Sequence, residues 1–441
     1  MGLFADLYPN VFLDSAFENF PNDNTETILA GNIASSGAGS VYANAAGGNS
    51  AVQNGFTTGS VTSLNNALTA QGIPFNPPTL GAYFPGTFHE PGYVEYSLQI
   101  QRQLRKSDGI SLTYAGNHGY NEIIQNPYVN AASGFFNNAT GTWQLTPAGA
   151  FGALPAAPPD PSFSTVNSFT NNARSNYSGL SISYTHQGNG VTGHLSYTYS
   201  HDLDDTSNGG VGDNEPFNAG SLGKQLTPSL NGAGNLNYSN ADYDIRNDLV
   251  GDVVYEEPFK VHNAFINPLV SGWVIAGKEY YRSGEPFSIL NSNAIAGFPV
   301  LAGLGSTLLA QAITAGLTNS CGSNPHAAVN ASCLDATQYA GETQNTFGNV
   351  RRNAFYGPHY ADTDATLTKQ VVKKEGVNFV VGAQAYNIFN HPNFGNPGST
   401  LGAGNFGLIT NTQAPPTSPY GSFQGAAVTQ RLLVVTGKIT F

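Results

Sequence analysis

Residues 93–117 read YVEYSLQIQRQLRKSDGISLTYAGN, and the architecture follows from the rhythm of this stretch. Val94, Tyr96, Leu98 and Ile100 are apolar, whereas Glu95, Ser97, Gln99, Gln101 and Gln103 are polar. Successive side chains of an extended strand point to opposite faces, so the alternation makes one face greasy and the other wet. After the turn-forming RKSDG the pattern resumes, with Ile110, Leu112 and Tyr114 set against Ser111, Thr113 and Asn117. The two runs make an antiparallel hairpin.

The same unit recurs downstream. Leu180, Ile182 and Tyr184 alternate with Ser181, Ser183 and Thr185. After QGNG, Leu195, Tyr197 and Tyr199 alternate with His194, Ser196, Thr198 and Ser200. Leu249, Gly251, Val253 and Tyr255 alternate with Asp248 and Asp252, although Val250 and Val254 blur the pattern. Trp273, Ile275, Gly277 and Tyr281 share a face with Glu279, the one exception to its apolar character. Thr363, Ala365 and Leu367 face away from Asp362, Asp364, Thr366 and Thr368, and the turn KKEG leads to Val377, Phe379, Val381, Ala383 and Ala385. Leu433, Val435, Gly437, Ile439 and Phe441 close the chain opposite Gln430, Thr436, Lys438 and Thr440.

A soluble sandwich also alternates; connection lengths separate the two. Short turns fall near 105–109, 187–191 and 371–376, with a longer link at 256–270. Long Gly/Asn/Ser-rich connections fall near 118–175, 202–247, 284–361 and 390–427. Strict alternation of this kind suits short periplasmic turns on one rim of a barrel and long extracellular loops on the other. Loops this long without structure of their own are uncommon in soluble domains. The expected fold is therefore all-β: a partial antiparallel transmembrane β-barrel of about nine or ten strands. Residues 1–92 are expected to be a strand end followed by a long extracellular loop, and residues 93–441 the barrel segment.

Composition agrees. Charged residues make up 10% of the 441, against about 25% in ordinary soluble domains. Hydrophobic residues make up 40%, with 52 Gly, 22 Tyr and 26 Phe, a loop-rich all-β profile. A net charge of −12 speaks against nucleic acid as a partner, since phosphate binding needs a basic surface. No stretch of about 18 apolar residues is present to make a transmembrane helix. The start, MGLFADLYPNVFLD, has no basic segment leading into an apolar one, so no signal peptide is expected there. An exported barrel needs one, which leads us to expect an upstream start or a truncated product.

Tyr93, Tyr114, Tyr184, Tyr199, Tyr255 and Tyr281, with Trp273, lie near strand ends, as membrane-interface aromatics do. Cys321 and Cys333 sit close together in a polar segment; in an exported protein a disulfide is expected, with free thiols as the alternative. Asp204, Asp205, Thr206, Ser207, Asn208 and Gly209, followed by Glu215, approach the spacing of an EF-hand loop. Thr206 stands where Asp or Asn is usual and helical flanks are missing, so an acidic rim loop is the better reading. Asp362 and Asp364 are two apart on one strand and therefore share its wet face, which makes them lumen-lining rather than an acid–base pair. No metal, cofactor or catalytic spacing stands out among the nine histidines or elsewhere, so an enzyme is not expected.

Taken in order, seven segments resemble the C-terminal barrel of TonB-dependent receptors, the Oar-like group in particular. They are ISLTYAGNHGY, SYTYSHDLDDTS, DYDIRNDLVGDVVYEEPF, GWVIAGKEYYRSGEPFSI, GNVRRNAFYGPHYADTDATLTK, AQAYNIFNHPNFGNPG and VTGKITF. The opening GLFADLYPN resembles the end of one more outward strand. Val435, Gly437, Ile439 and Phe441 resemble the terminal signal read by the barrel-assembly machinery, which would bind it by adding a strand to an edge. Arg351 and Arg352 in GNVRRNAFYG are expected to meet loop carboxylates or lipid headgroups. The resemblance implies outer-membrane lipid and the assembly machinery as partners. TonB would act only through a plug, and no plug, coupling box or full set of about 22 strands is visible. Energised uptake by this segment alone is therefore not expected. A small self-standing porin or adhesin barrel, and a secreted β-sandwich or carbohydrate-binding module, stand as alternatives.

Overall fold

The computed structural model describes residues 2–5, 66, 77–137, 140, 142–145, 154–205, 207, 237–258, 266–292, 307–341, 347–374, 376–413 and 430–441. Ten strands form one continuous antiparallel path in which each pairs with the next in sequence. They are β1 (Gly2–Ala5), β2 (Gly92–Arg105), β3 (Asp108–Asn126), β4 (Val166–Gly188), β5 (Val191–Asp204), β6 (Asn247–Glu256), β7 (Trp273–Arg282), β8 (Tyr360–Lys374), β9 (Val377–Tyr386) and β10 (Leu432–Thr440). Two short strands join this sheet off the main path: Leu80–Tyr83 pairs with β4, and Ser239–Asn240 with β5. Among the described residues β1 pairs only with β2 and β10 only with β9, so the sheet is open.

Turn chemistry explains the short rim. Asn189 and Gly190 both have positive φ, 53° and 77°, the requirement of a two-residue turn whose twist matches that of the strands. A Cβ at Gly190 would lie 2.4 Å from the Glu256 carbonyl oxygen, so the β4–β5 turn is also packed against the end of β6. Gly376 supplies a positive φ, 78°, to the β8–β9 turn. Among the described residues, the link between β6 and β7 holds a short helix, Asn267–Val270, with proline in its first turn. All long connections leave the opposite rim.

Register fixes two chemically distinct faces. Across one face Ile100 lies opposite Leu112, Leu112 opposite Ile182, and Ile182 opposite Tyr197. Further along the sheet Tyr255 meets Ile275, Ile275 meets Leu367, Leu367 meets Ala383 and Ala383 meets Val435. These side chains stay uncovered: Leu98 is 65% exposed and Val435 87%. The sheet thus has an apolar surface with no second layer over it among the described residues. Strand β4 runs for 23 residues, whereas about 9–11 suffice to cross a bilayer. Much of β3 and β4 therefore rises past the apolar band.

The buried apolar side chains lie elsewhere, in the long connections and at the strand ends beneath them. Phe287, Ile289, Ala310, Cys321, Ala328, Cys333, Leu334, Tyr339, Val350, Phe355, Leu401 and Ile409 form one cluster. It joins the β7–β8 and β9–β10 connections through backbone bonds from Leu290 N to Ser399 O (2.9 Å), Leu401 N to Leu290 O (2.8 Å) and Cys333 N to Gly407 O (2.9 Å). Cys321 and Cys333 are joined as a disulfide inside it, with a Cα–Cα distance of 5.0 Å. By sequence alone 284–361 and 390–427 read as structureless loops; the described parts of both instead fold around a protein interior. Short polar segments carry no periodic signal of packing, which is why the sequence does not announce this interior.

Closing a loop this small by a disulfide contributes about 3 kcal/mol in the chain-entropy picture. Replacing both cysteines by serine should make residues 307–341 cleavable under limited proteolysis. The sheet should still resist heat and detergent, as read by gel mobility before and after boiling.

Candidate functional site

The polar face of the sheet is a continuous hydrogen-bonding wall. On β2 and β3, Gln99 donates to the Ser111 and Thr113 hydroxyls, both at 3.2 Å. On β4 and β5, Ser181 pairs with Thr198 at 2.6 Å and Ser183 with Ser196 at 3.2 Å. Charge then enters: His194, Asp252, Lys278 and Asp364 occupy one row across β5–β8. Above it the Tyr280 hydroxyl donates to Asp248 at 3.2 Å and that of Tyr360 to Asp362 at 3.4 Å. Asp362 and Asp364 both lie on this face, paired in register with Tyr280 and Lys278.

At the rim, arginines tie the connections to the strand ends. Arg352, 4% exposed, pairs with the equally buried Asp204 and with Asp242 at 3.1 Å, and its Nε donates to the Asn237 carbonyl at 3.1 Å. Arg351 donates to the Tyr238 carbonyl at 3.1 Å. Arg246 meets Asp244 at 3.0 Å and donates to the Tyr356 hydroxyl at 3.0 Å, which itself donates to Asp244 at 2.5 Å. Arg282 meets Glu285 at 2.5 Å and donates to Gln413 at 3.0 Å. Burial pushes the Glu285 carboxyl above its usual range even with Arg282 against it. Burial, reinforced by the bond to Asp244, raises the Tyr356 hydroxyl.

The charged pairs thus tie the long connections to the strand ends. Asp204 also accepts a hydrogen bond from Ser207 at 2.5 Å, so the first residue of the EF-hand-like spacing already has a guanidinium partner. Thr206, Asn208, Gly209 and Glu215 of that spacing lie outside the described residues. Among the described residues no three His, Cys, Asp or Glu side chains converge in a way that could hold a metal.

The family model for the outer membrane beta barrel domain matches residues 2–424. The chain belongs to this family.

It is an outer-membrane protein, and in this barrel fold the polar wall lines the interior while the apolar face meets lipid. No curated protein matches the chain. Among solved structures, the outer membrane transporter YddB from Escherichia coli is similar at 12% identity and a TM-score of 0.39, covering 82% of this chain and 34% of that one. The FrpB iron transporter from Neisseria meningitidis (F3-3 variant) gives 11% identity, a TM-score of 0.34 and coverages of 82% and 32%. The ferripyoverdine receptor of the outer membrane of Pseudomonas aeruginosa gives 11%, 0.32, 80% and 28%. The chain spans about a third of the length of these proteins.

The aromatic residues singled out in the sequence fall on both sides of this barrel wall. Tyr114, Tyr184 and Tyr199 project from the apolar face, at 40%, 38% and 53% exposure. Tyr255, Trp273 and Tyr281 share that face, half-buried, with Lys369 over the Trp273 ring at 5.0 Å. Tyr93 does not: it has the opposite parity to Val94 and Tyr96, and its hydroxyl bonds to Glu122. Val435, Gly437 and Ile439 lie on the outer face of the final strand, and Phe441 follows it, almost fully exposed. Glu279 accepts a hydrogen bond from the Thr363 hydroxyl at 2.5 Å. The rim residues Asp244, Arg246, Tyr356, Arg282 and Glu285 had no role from the sequence. For the four charged residues the signal was charge just beyond the strand ends, in DYDIRN and RSGEPF; Tyr356 carried none.

Two outcomes follow from this arrangement. Val435→Arg should cost about 2–4 kcal/mol near the bilayer midplane and cut assembly into the outer membrane, whereas Thr436→Arg, one residue on, should assemble normally. Quantifying the heat-modifiable form in membrane fractions checks both. Arg352→Ala leaves Asp204 buried without its cation, a loss of about 3–5 kcal/mol. Hydrogen exchange should then show residues 237–247 and 347–356 opening while β8 and β9 keep their protection.

Proposed function

We propose that this barrel segment is the C-terminal part of the wall of a TonB-dependent receptor of the Oar-like type. In this reading residues 93–441 supply strands and residues 1–92 a strand end with its extracellular loop. The observation that carries it is the ten-strand path whose edges, β1 and β10, each have a partner on one side only among the described residues. In hydrocarbon an unpaired strand edge costs several kcal/mol per exposed group, so such edges would need pairing with further strands or a smaller closure of their own. The ordered resemblance of seven segments to receptor barrels supports the same assembly, as does an extracellular surface held in shape by its own core.

Transport would then be a property of the assembled receptor. The polar wall would border the passage, a plug would fill it, and TonB would act on that plug. The exposed aromatics Tyr114, Tyr184 and Tyr199, with Tyr255, Trp273 and Tyr281, would anchor the wall at the two membrane interfaces. Val435, Gly437, Ile439 and Phe441 would present the final strand to the assembly machinery by β-augmentation.

A strand count of ten also lies within the range of small closed barrels, which favours a self-standing porin or adhesin as the second reading. Planar-bilayer recording separates them. The purified chain alone should give no stable channel of uniform conductance. Long-lived channels of a single size would overturn the receptor reading and establish a closed barrel.

A further inference from the structure

Five neighbouring strands, β4–β8, border a cleft of about 580 Å³ on the apolar face. Gly193, Gly251 and Gly277, on three adjacent strands, form its floor, and Tyr184, Leu195 and Val253 contribute apolar walls. Register explains the hollow. Gly193 and Gly277 both lie opposite Val253, and Gly251 lies between Leu195 and Glu279, so side chains are missing at alternating positions of two adjacent rows. Glu279 and Thr363, paired in register, close one end.

The glycine floor spans three strands, two interstrand steps or roughly 10 Å at about 4.8 Å each, wide enough for one hydrocarbon chain to lie against it. Glu279 stands two residues before Tyr281, toward the rim that carries the long loops. His194, Asp252 and Lys278 also border the cleft but belong to the polar row, and His186 is held by Asp108 at 2.8 Å; Glu279 is the carboxylate on the apolar side, and among the described residues its partner is the neutral Thr363 hydroxyl rather than a cation. A carboxylate facing lipid is costly unless a cation meets it. His359, its ring tilted against Tyr281 with centroids 5.6 Å apart, has its pKa lowered by burial, which disfavours the imidazolium.

We propose that this cleft seats a lipid carrying a primary-amine headgroup, its chain on the glycine floor and its ammonium on Glu279. Like charge disfavours anionic lipids there. A volume of this size suits one chain rather than the face of a second protein. The inference rests on the outer-membrane placement of the apolar face and is independent of the transport reading.

Native mass spectrometry of the full chain, extracted from outer membranes in mild detergent, tests it. The probe is an equimolar mixture of phosphatidylethanolamine and phosphatidylglycerol with matched chains. A charge-assisted hydrogen bond predicts at least about tenfold more ethanolamine adduct. Glu279→Gln should abolish that preference. Gly277→Leu should remove adducts of both kinds by filling the floor; a Cβ there meets Val253 at 3.7 Å, an ordinary contact, so the strand can accept it. N-acetylated phosphatidylethanolamine offered to the unaltered chain should lose as much as the Glu279→Gln variant, whatever that variant's folding. An unchanged lipid ratio in Glu279→Gln, equal binding of the acetylated lipid, or chain dimers in place of lipid adducts would each overturn the proposal.

Discussion

A peptide group in hydrocarbon has no water to bond to, and leaving it unpaired costs several kcal/mol. The ten-strand path meets that constraint by the simplest connectivity available, each strand pairing with the next along the chain. With the backbone satisfied in this way, side chains on the two faces are free to follow their solvents. One row reads Ile100, Leu112, Ile182 and Tyr197, while the wall behind it is bound together by serine, threonine and glutamine. The sheet needs no packed layer over its apolar face because lipid takes that place.

The protein interior is displaced to the extracellular side. Twelve buried residues, with the Cys321–Cys333 disulfide among them, pack where the β7–β8 and β9–β10 connections meet. These connections then have to be held over the sheet, and Arg352, Arg246 and Arg282 do so through buried or half-buried carboxylates. Buried ion pairs add little net stability over apolar packing. What they supply here is register, since a guanidinium accepts only a few geometries and Asp204, Asp242 and the Asn237 carbonyl all converge on one of them. The loops are thereby placed on the strands as a unit.

Glu279 departs from both halves of this scheme: charged, yet on the face that meets lipid. Its neighbours are also unusual, since Gly193, Gly251 and Gly277 thin the same surface. A carboxylate above a hollow is a chemically coherent pair of exceptions, which neither a girdle nor a lumen wall accounts for.

Alternation at period two is a local property, and it is readable directly: Tyr93–Asn117 states the hairpin, its two faces and its turn within 25 residues. The order of strands, their parity and the long rim follow from counting alone. One aromatic escapes that reading, because Tyr93 looks like a strand-end tyrosine while its parity places it on the wet face beside Glu122. The extracellular core lies beyond reach for a different reason. Ile289, Ala310, Cys333 and Leu401 are scattered across more than a hundred residues without period, and Arg352 finds Asp204 across 148. Contacts of that range leave no mark in neighbouring residues, so three-dimensional closure of the chain alone brings them together.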